Sequence, residues 1–217
     1  MNIICKIGYY TKNLIPVALL ISIIVFIFSF RQIYYLDIDN LNIPQKSGLS
    51  REIIKESYDY LIDYSISFED TKFEIPRLPS SENGIIHFVE VRNIIQMLIR
   101  IKIAIWLISL FGVIYCWKNK YHKIFLSIFR QLILIPVTLS IPFVVNFSGS
   151  FVAFHKILFR NDYWIFDERI DPVIKILPEK FFFHEAIFML SIILGVSFTA
   201  IAIYKYIDFK KLRPSKH

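Results

Sequence analysis

Apolar and polar positions fall in long blocks along this chain. Residues 14–30 are uncharged and rich in Ile, Leu, Val and Phe, about the length that crosses the hydrocarbon core of a bilayer as a helix. Pro16 suits a helix start, because the first turn has no intrahelical acceptors for its N–H groups anyway. A second run, 96–117, is cleanly apolar only from 103, so Arg100 and Lys102 are expected to snorkel at its outer rim or face a wet cavity. The third, 131–147, is interrupted by Pro136 and Pro142, which predicts kinks. The fourth covers 186–204. The pattern predicts an all-α membrane protein with four transmembrane helices, residues 1–217 forming a single integral membrane domain.

The blocks between the runs are elaborate. Segment 31–95 is polar and acidic. Within it LSREIIKESYDYLIDYS predicts an amphipathic helix, with Ser50 as N-cap and Ile53, Ile54, Tyr58, Leu61 and Ile62 at helical spacing. FEIPRLPSSENG then ends any helix. A new helix is expected to start near His87 and run without a break into the second span. Segment 148–185 holds FVAFHKILFRNDYWIFDERIDPVIKILPEKFFF, in which aromatic residues interleave with charges. His155 sits at its head, Asn161-Asp162 precede Tyr163 and Trp164, and Asp171-Pro172 open a short helical run ending at Pro178. Rings beside charges suit the membrane–water interface, where an apolar body and a polar tip are both satisfied. The two segments therefore read as an interfacial cap, its second part re-entrant or lying in the interface.

Composition agrees. The chain is 55% hydrophobic with 21 Phe and 12 Tyr, and its mean hydropathy is +0.52; this excludes disorder and sits poorly with a soluble globule. The net charge of +7 would suit nucleic acid only if it formed a patch, and it does not. The basic excess flanks the apolar runs: Lys6 and Lys12, then Lys118, Lys120, Lys123 and Arg130, then Lys205, Lys210, Lys211, Arg213 and Lys216, against the single acid Asp208. By the positive-inside rule both termini are cytoplasmic and both elaborate segments face outward. Cys5 and Cys116 fall on the cytoplasmic side, so no disulfide is expected, and neither has metal-ligand spacing. The first run ends in Phe28-Ser29-Phe30-Arg31, without the small residues a signal peptidase reads, so it is expected to stay attached.

His87 and His155 come from separate outward segments, each beside a span, at depths where they can meet. An imidazole near its free pKa accepts or donates a proton at neutral pH, and two together can serve as base and acid. The competing reading is two ordinary interfacial histidines bonded to backbone. His184 is either a third member or an interface residue; His122 and His217 read as incidental. A metal site is the rival chemistry, built from His87 and Glu90 on one helical face with His155 and Asp162 or His184, but no HExxH-type pairing supports it. Ser148 and Ser150 lack a nucleophile elbow, and no glycine-rich phosphate loop occurs. Asn161, Asp162 and Trp164 can orient a histidine or bind substrate; equally, Asp162 can cap a turn and Trp164 anchor at the interface.

The runs LSREIIKESYDYLIDY, SSENGIIHFVEVRNI and FHKILFRNDYWIFDERIDPVIKILPEKFF resemble the Lit family, the lipoprotein intramolecular transacylases of Gram-positive bacteria, in the same order and over almost the whole chain. The family's first histidine motif usually continues x-Asp-Val-Lys, where this chain has Glu90 and Arg92. Charge is kept, although Arg and Lys are not equivalent at a specific contact. The resemblance implies an acyltransferase acting on diacylglyceryl lipoproteins. It would move the sn-2 acyl chain to the α-amine of the N-terminal cysteine and leave a lyso-form product. It also implies that His87 and His155 are the essential pair. Glu90, Arg92, Arg100, Asn161, Asp162 and Trp164 are the candidates for binding or orienting substrate. No cofactor or metal is called for, and the expected partners are lipoproteins and membrane lipids. A metal-dependent intramembrane hydrolase and a non-enzymatic subunit of a membrane complex are the alternatives.

Overall fold

The computed structural model describes residue 6 and residues 9–212, and the regular structure there is helical throughout. The elements are α1 (Leu14–Ser29), α2 (Gln32–Asn40), α3 (Ile43–Ser47), α4 (Arg51–Ile66), α5 (Glu82–Lys118), α6 (Lys123–Val145), α7 (Phe147–Leu158), α8 (Val173–Ile176) and α9 (Glu179–Leu212). Four helical stretches are long and apolar enough to cross a membrane: Tyr9–Ser29, Glu82–Lys118, Lys123–Val145 and Glu179–Lys210. Their outward apolar side chains, such as Trp117, Leu139 and Ile203, are exposed, as expected of surface that lipid would cover.

The helices differ from the predicted spans at their ends. The second span is the tail of a 37-residue helix, roughly 55 Å long at 1.5 Å per residue. That exceeds a hydrocarbon core of about 30 Å, so one helix serves both as span and as scaffold beyond it. α6 runs through Pro136 and Pro142 as one element and stops at Val145. There Asn146 turns extended and its Oδ1 accepts from Gly149 N at 3.0 Å, capping α7, so residue 147 belongs to the next helix. The fourth span lies within the longer α9.

The chain divides into two compact units, each built from several segments. The first takes Met1–Ile24, Ile99–Ile141 and Met189–His217. In it the Lys12 ammonium lies 4.2 Å over Tyr9 and 4.5 Å over Tyr121, and donates to Tyr121 Oη at 3.3 Å. Gly112 permits that approach, since a Cβ there would come within 2.5 Å of Lys12 N. His122, expected to be incidental, stacks on Tyr204 and lies 3.6 Å from Asp208. Cys116 is buried; Cys5 and His217 lie outside the described residues.

The second unit takes Val25–Leu98 and Pro142–Phe188. Ser50 caps α4 as predicted, accepting from Ile53 N at 3.4 Å. The face carrying Ile54, Tyr58, Leu61 and Ile62 is buried. The core centres on Tyr34 and Tyr58, stacked at 3.7 Å, with Phe181 edge-on to both. Tyr34 Oη donates to Ile176 O at 2.7 Å, which joins α2 to α8, 142 residues away. His184 pairs with buried Asp37 at 2.8 Å. This fixes the head of α9 against α2, so His184 is tied to an acid of the core rather than being a free interface residue.

Candidate active site

The head of α5 is held by a double cap. Ser81 Oγ accepts from Gly84 N at 3.0 Å, the usual way to satisfy an orphan donor of a first turn. Asp171, buried at 3% exposure, accepts from both Ser81 N and Ser81 Oγ at 2.7 Å. A carboxylate beside a helix N-terminus is also favoured by the helix dipole. This arrangement places His87, in the second turn, against α7 and the loop that follows it.

His87 and His155 lie with ring centroids 6.2 Å apart, tilted by 35°. Phe159 touches both, 4.6 Å from His87 and 5.7 Å from His155. Phe166 stands edge-on to His87 at 5.5 Å, and Phe151 and Trp164 lie 4.3 Å and 4.8 Å from His155. Two imidazoles thus share an aromatic box. His87 is buried, and its Nδ1 has no hydrogen-bond partner among the described residues. His155 Nδ1 lies 2.8 Å from Phe151 O. A carbonyl only accepts, so Nδ1 carries the proton and Nε2 of the neutral ring keeps its lone pair. Burial lowers the His155 pKa from its ordinary value, and the Phe151 carbonyl opposes that shift in part.

A polar relay runs beside the pair. Glu90 lies one turn on from His87, on the same side of α5. Asn161 Nδ2 donates to Glu90 Oε1 at 2.8 Å. Asn161 also accepts from Tyr163 N through its side chain at 3.1 Å and from Trp164 Nε1 through its backbone carbonyl at 3.1 Å. Trp164, so held, lies against His155, their rings tilted by 32°. Glu90 Oε2 is buried with no partner among the described residues.

Other candidates are not brought to this place. Arg92 lies on the far side of α5 from His87 at 100° per residue. Its guanidinium donates to Ser67 O and Thr71 O at 3.2 Å and to Glu69 O, with Gln96 Nε2 on Ser67 O at 2.6 Å. It therefore folds the 67–71 loop onto the helix instead of meeting the histidines. Arg100 is exposed and belongs to the other unit. Asp162 is exposed, and its carbonyl closes a turn with Ile165 N at 3.1 Å, which is the turn-forming reading. Ser148 bonds to Glu179. The 67–71 loop instead borders a cavity of about 570 Å³ that Tyr64, Phe68, Val89 and Arg92 help to line, on the side of α5 away from His87.

Phe159 and Phe166 were not among the residues singled out from sequence. The signal for Phe159 was present: Phe151, His155 and Phe159 are spaced by four, one face of a helix continued by one residue. For Phe166 and the Ser81–Asp171 cap there was none, because both depend on contacts distant in the chain. Among the described residues no cluster of three or more His, Cys, Asp or Glu side chains is placed to hold a metal ion.

Four long apolar helices and two imidazoles enclosed by aromatic rings define a polytopic membrane protein with a site equipped for proton transfer. The sequence matches the model of the family described as lipoprotein intramolecular transacylase Lit over residues 10–182. The chain belongs to that family, and so is a membrane-integral acyltransferase. Among solved structures it is similar to the membrane integral lipoprotein intramolecular transacylase Lit from Bacillus cereus, with 39% identity and a TM-score of 0.86 over 96% of this chain and 95% of that one. Two further structures of that Bacillus cereus protein, with one histidine changed to arginine or to alanine, match at 38% and 37% identity, each with a TM-score of 0.81. The first covers 96% of this chain and 92% of that one, the second 97% and 94%. Among curated proteins nothing matches the chain.

Proposed function

We propose that this transacylase moves the sn-2 acyl chain of a diacylglyceryl lipoprotein to the α-amine of its N-terminal cysteine, with His155 as the base and His87 as the hydrogen-bond donor. The observation that carries the assignment is the bond from His155 Nδ1 to Phe151 O, which leaves Nε2 as the proton acceptor. Donor ester and acceptor amine belong to one molecule, so the substrate supplies proximity and no acyl-enzyme is needed.

The steps balance. The α-ammonium gives a proton to His155 Nε2, and the freed amine attacks the ester carbonyl carbon. The C–N bond forms, the carbonyl oxygen becomes an oxyanion, and the C–O bond to glycerol then breaks. Of the ammonium's three protons, one stays on the amide nitrogen, one reaches the departing glyceryl oxygen, and one leaves through His155 to solvent. The neutral His87 ring donates to the substrate oxygen on which charge develops. Trp164 supports the transient imidazolium by cation–π attraction, and the box of rings excludes water that would hydrolyse the ester. The charge pattern supports a topology with both termini in the cytoplasm and the site at the outer leaflet.

The test is mass spectrometry of one lipoprotein's N-terminal peptide from cells lacking the protein, then expressing the wild type, His87→Ala or His155→Ala. The expected result is that only the wild type turns the free-amine diacylglyceryl peptide into an isomer of equal mass whose fragments carry an N-acyl cysteine. A peptide that stays diacylglyceryl with the wild type in the membrane overturns the substrate assignment. Conversion by both variants overturns the histidine roles.

A further inference from the structure

A carboxylate with one buried, unpaired oxygen is rare in a folded protein, because desolvation without a partner is costly. Glu90 is in that state: Oε1 accepts from Asn161 Nδ2 at 2.8 Å, while Oε2 is buried with no partner among the described residues. The nearest cation in sequence, Arg92, is turned to the opposite side of α5 and bonded to backbone carbonyls. Asn161 is a neutral amide, so it orients the carboxylate without cancelling its charge. Glu90 also shares a helical face with His87, and through Asn161 and Trp164 it is connected to His155.

We infer that Glu90 Oε2 is the docking point for a primary ammonium group, the α-ammonium of the substrate's N-terminal cysteine. This rests on the functional reading above and adds a recognition residue to it. An ammonium held there satisfies the orphan oxygen and stands beside the base that deprotonates it. Once acylated, the nitrogen is neutral and no longer attracted to the carboxylate, so the same contact that admits substrate favours release of product. A substrate already acylated on its amine has no charge to offer, so it binds without this contact. Glu90 thereby favours free-amine lipoproteins over N-acylated ones.

The test uses full-length enzyme in nanodiscs and two lipopeptides: a diacylglyceryl-cysteine peptide with a free amine as substrate, and its N-acetylated form as competitive inhibitor. In Glu90→Gln, which keeps the shape and a partner for Asn161, KM for the free-amine peptide should rise about 10-fold or more. Ki for the N-acetylated peptide should stay within about twofold, and Glu90→Asp should recover most of the discrimination. If KM and Ki rise together in Glu90→Gln, Glu90 only holds Asn161 in place and the inference is wrong. If neither changes, it is wrong as well. Should the wild type fail to convert the free-amine peptide, the functional reading itself falls and this inference goes with it.

Discussion

Asp171 accepts two hydrogen bonds of 2.7 Å from Ser81, one from its backbone N and one from its hydroxyl, across 90 residues of sequence. That single contact joins segments 31–95 and 148–185 at the first turn of the helix that carries His87. It turns two pieces of chain that are far apart in sequence into one frame for the site.

Gly84→Ala tests the tightness of that frame. A Cβ at Gly84 would meet Asp171 Oδ1 at 2.5 Å and the Phe166 ring at 3.3 Å. The carboxylate must then leave Ser81 or the helix head must shift. Overpacking of this kind costs about 1–3 kcal/mol, against a gain of at most ~1 kcal/mol from replacing a helical glycine by alanine. The expected outcome is a lower unfolding midpoint in detergent, together with reduced turnover, because Phe166 also stands edge-on against His87. An unchanged midpoint would show that the cap yields freely.

How much of this was legible in advance can be judged from particular residues. The four spans, Ser50 as a cap, the start of a long helix near His87 and the proximity of His87 to His155 all follow from local patterns: apolar runs, capping chemistry and position beside a span. Arg92 is a candidate for substrate contact because it stands where the family's first histidine motif has Lys. A step of two residues from Glu90 turns a helix by roughly 200°, and the 67–71 loop offered carbonyls on that side. His184 could not be placed because its partner, Asp37, is 147 residues away, and nothing local announces such a pair. Local periodicity indicates which residues share a face; it does not indicate what that face meets.

With His155 as the proposed base, the acid limb of activity follows from its state. Burial disfavours its charged form and lowers its pKa below the ordinary 6.5, so the neutral base persists to lower pH than a free imidazole would. The kcat/KM profile should be level near pH 7, with a descending limb below 6.5 attributable to the free enzyme. Stability follows the same sign. A histidine buried neutral contributes nothing adverse above 6.5, and it destabilises the fold as pH drops from there towards the folded pKa. A limb centred above 6.5 would count against His155 as the base.

Asn161 separates orientation from charge. Asn161→Ala removes the donor to Glu90 Oε1, a hydrogen bond to a charged group of about 1.5–3 kcal/mol, and leaves the backbone carbonyl that holds Trp164. Turnover should fall about 10- to 150-fold at that energy. Asn161→Asp sets a second carboxylate against Glu90 and should be worse than alanine under the same assay above pH 6. Equal losses in the two variants would mean that the Glu90–Asn161 contact has no electrostatic role.

The bond from His155 to Phe151 O spans one helical turn, and that carbonyl also lies where the backbone ladder of α7 expects its own acceptor. Which nitrogen of His155 carries the proton is therefore set by a turn of helix. In an unfolded or partly inserted chain the same imidazole would distribute its proton over both ring nitrogens, like any free histidine. Only when α7 has wound does one nitrogen become a dedicated acceptor. With His155 as the proposed base, the folding of these twelve residues is the step that arms it, and a chain caught halfway through assembly carries the same side chains without the dedicated acceptor.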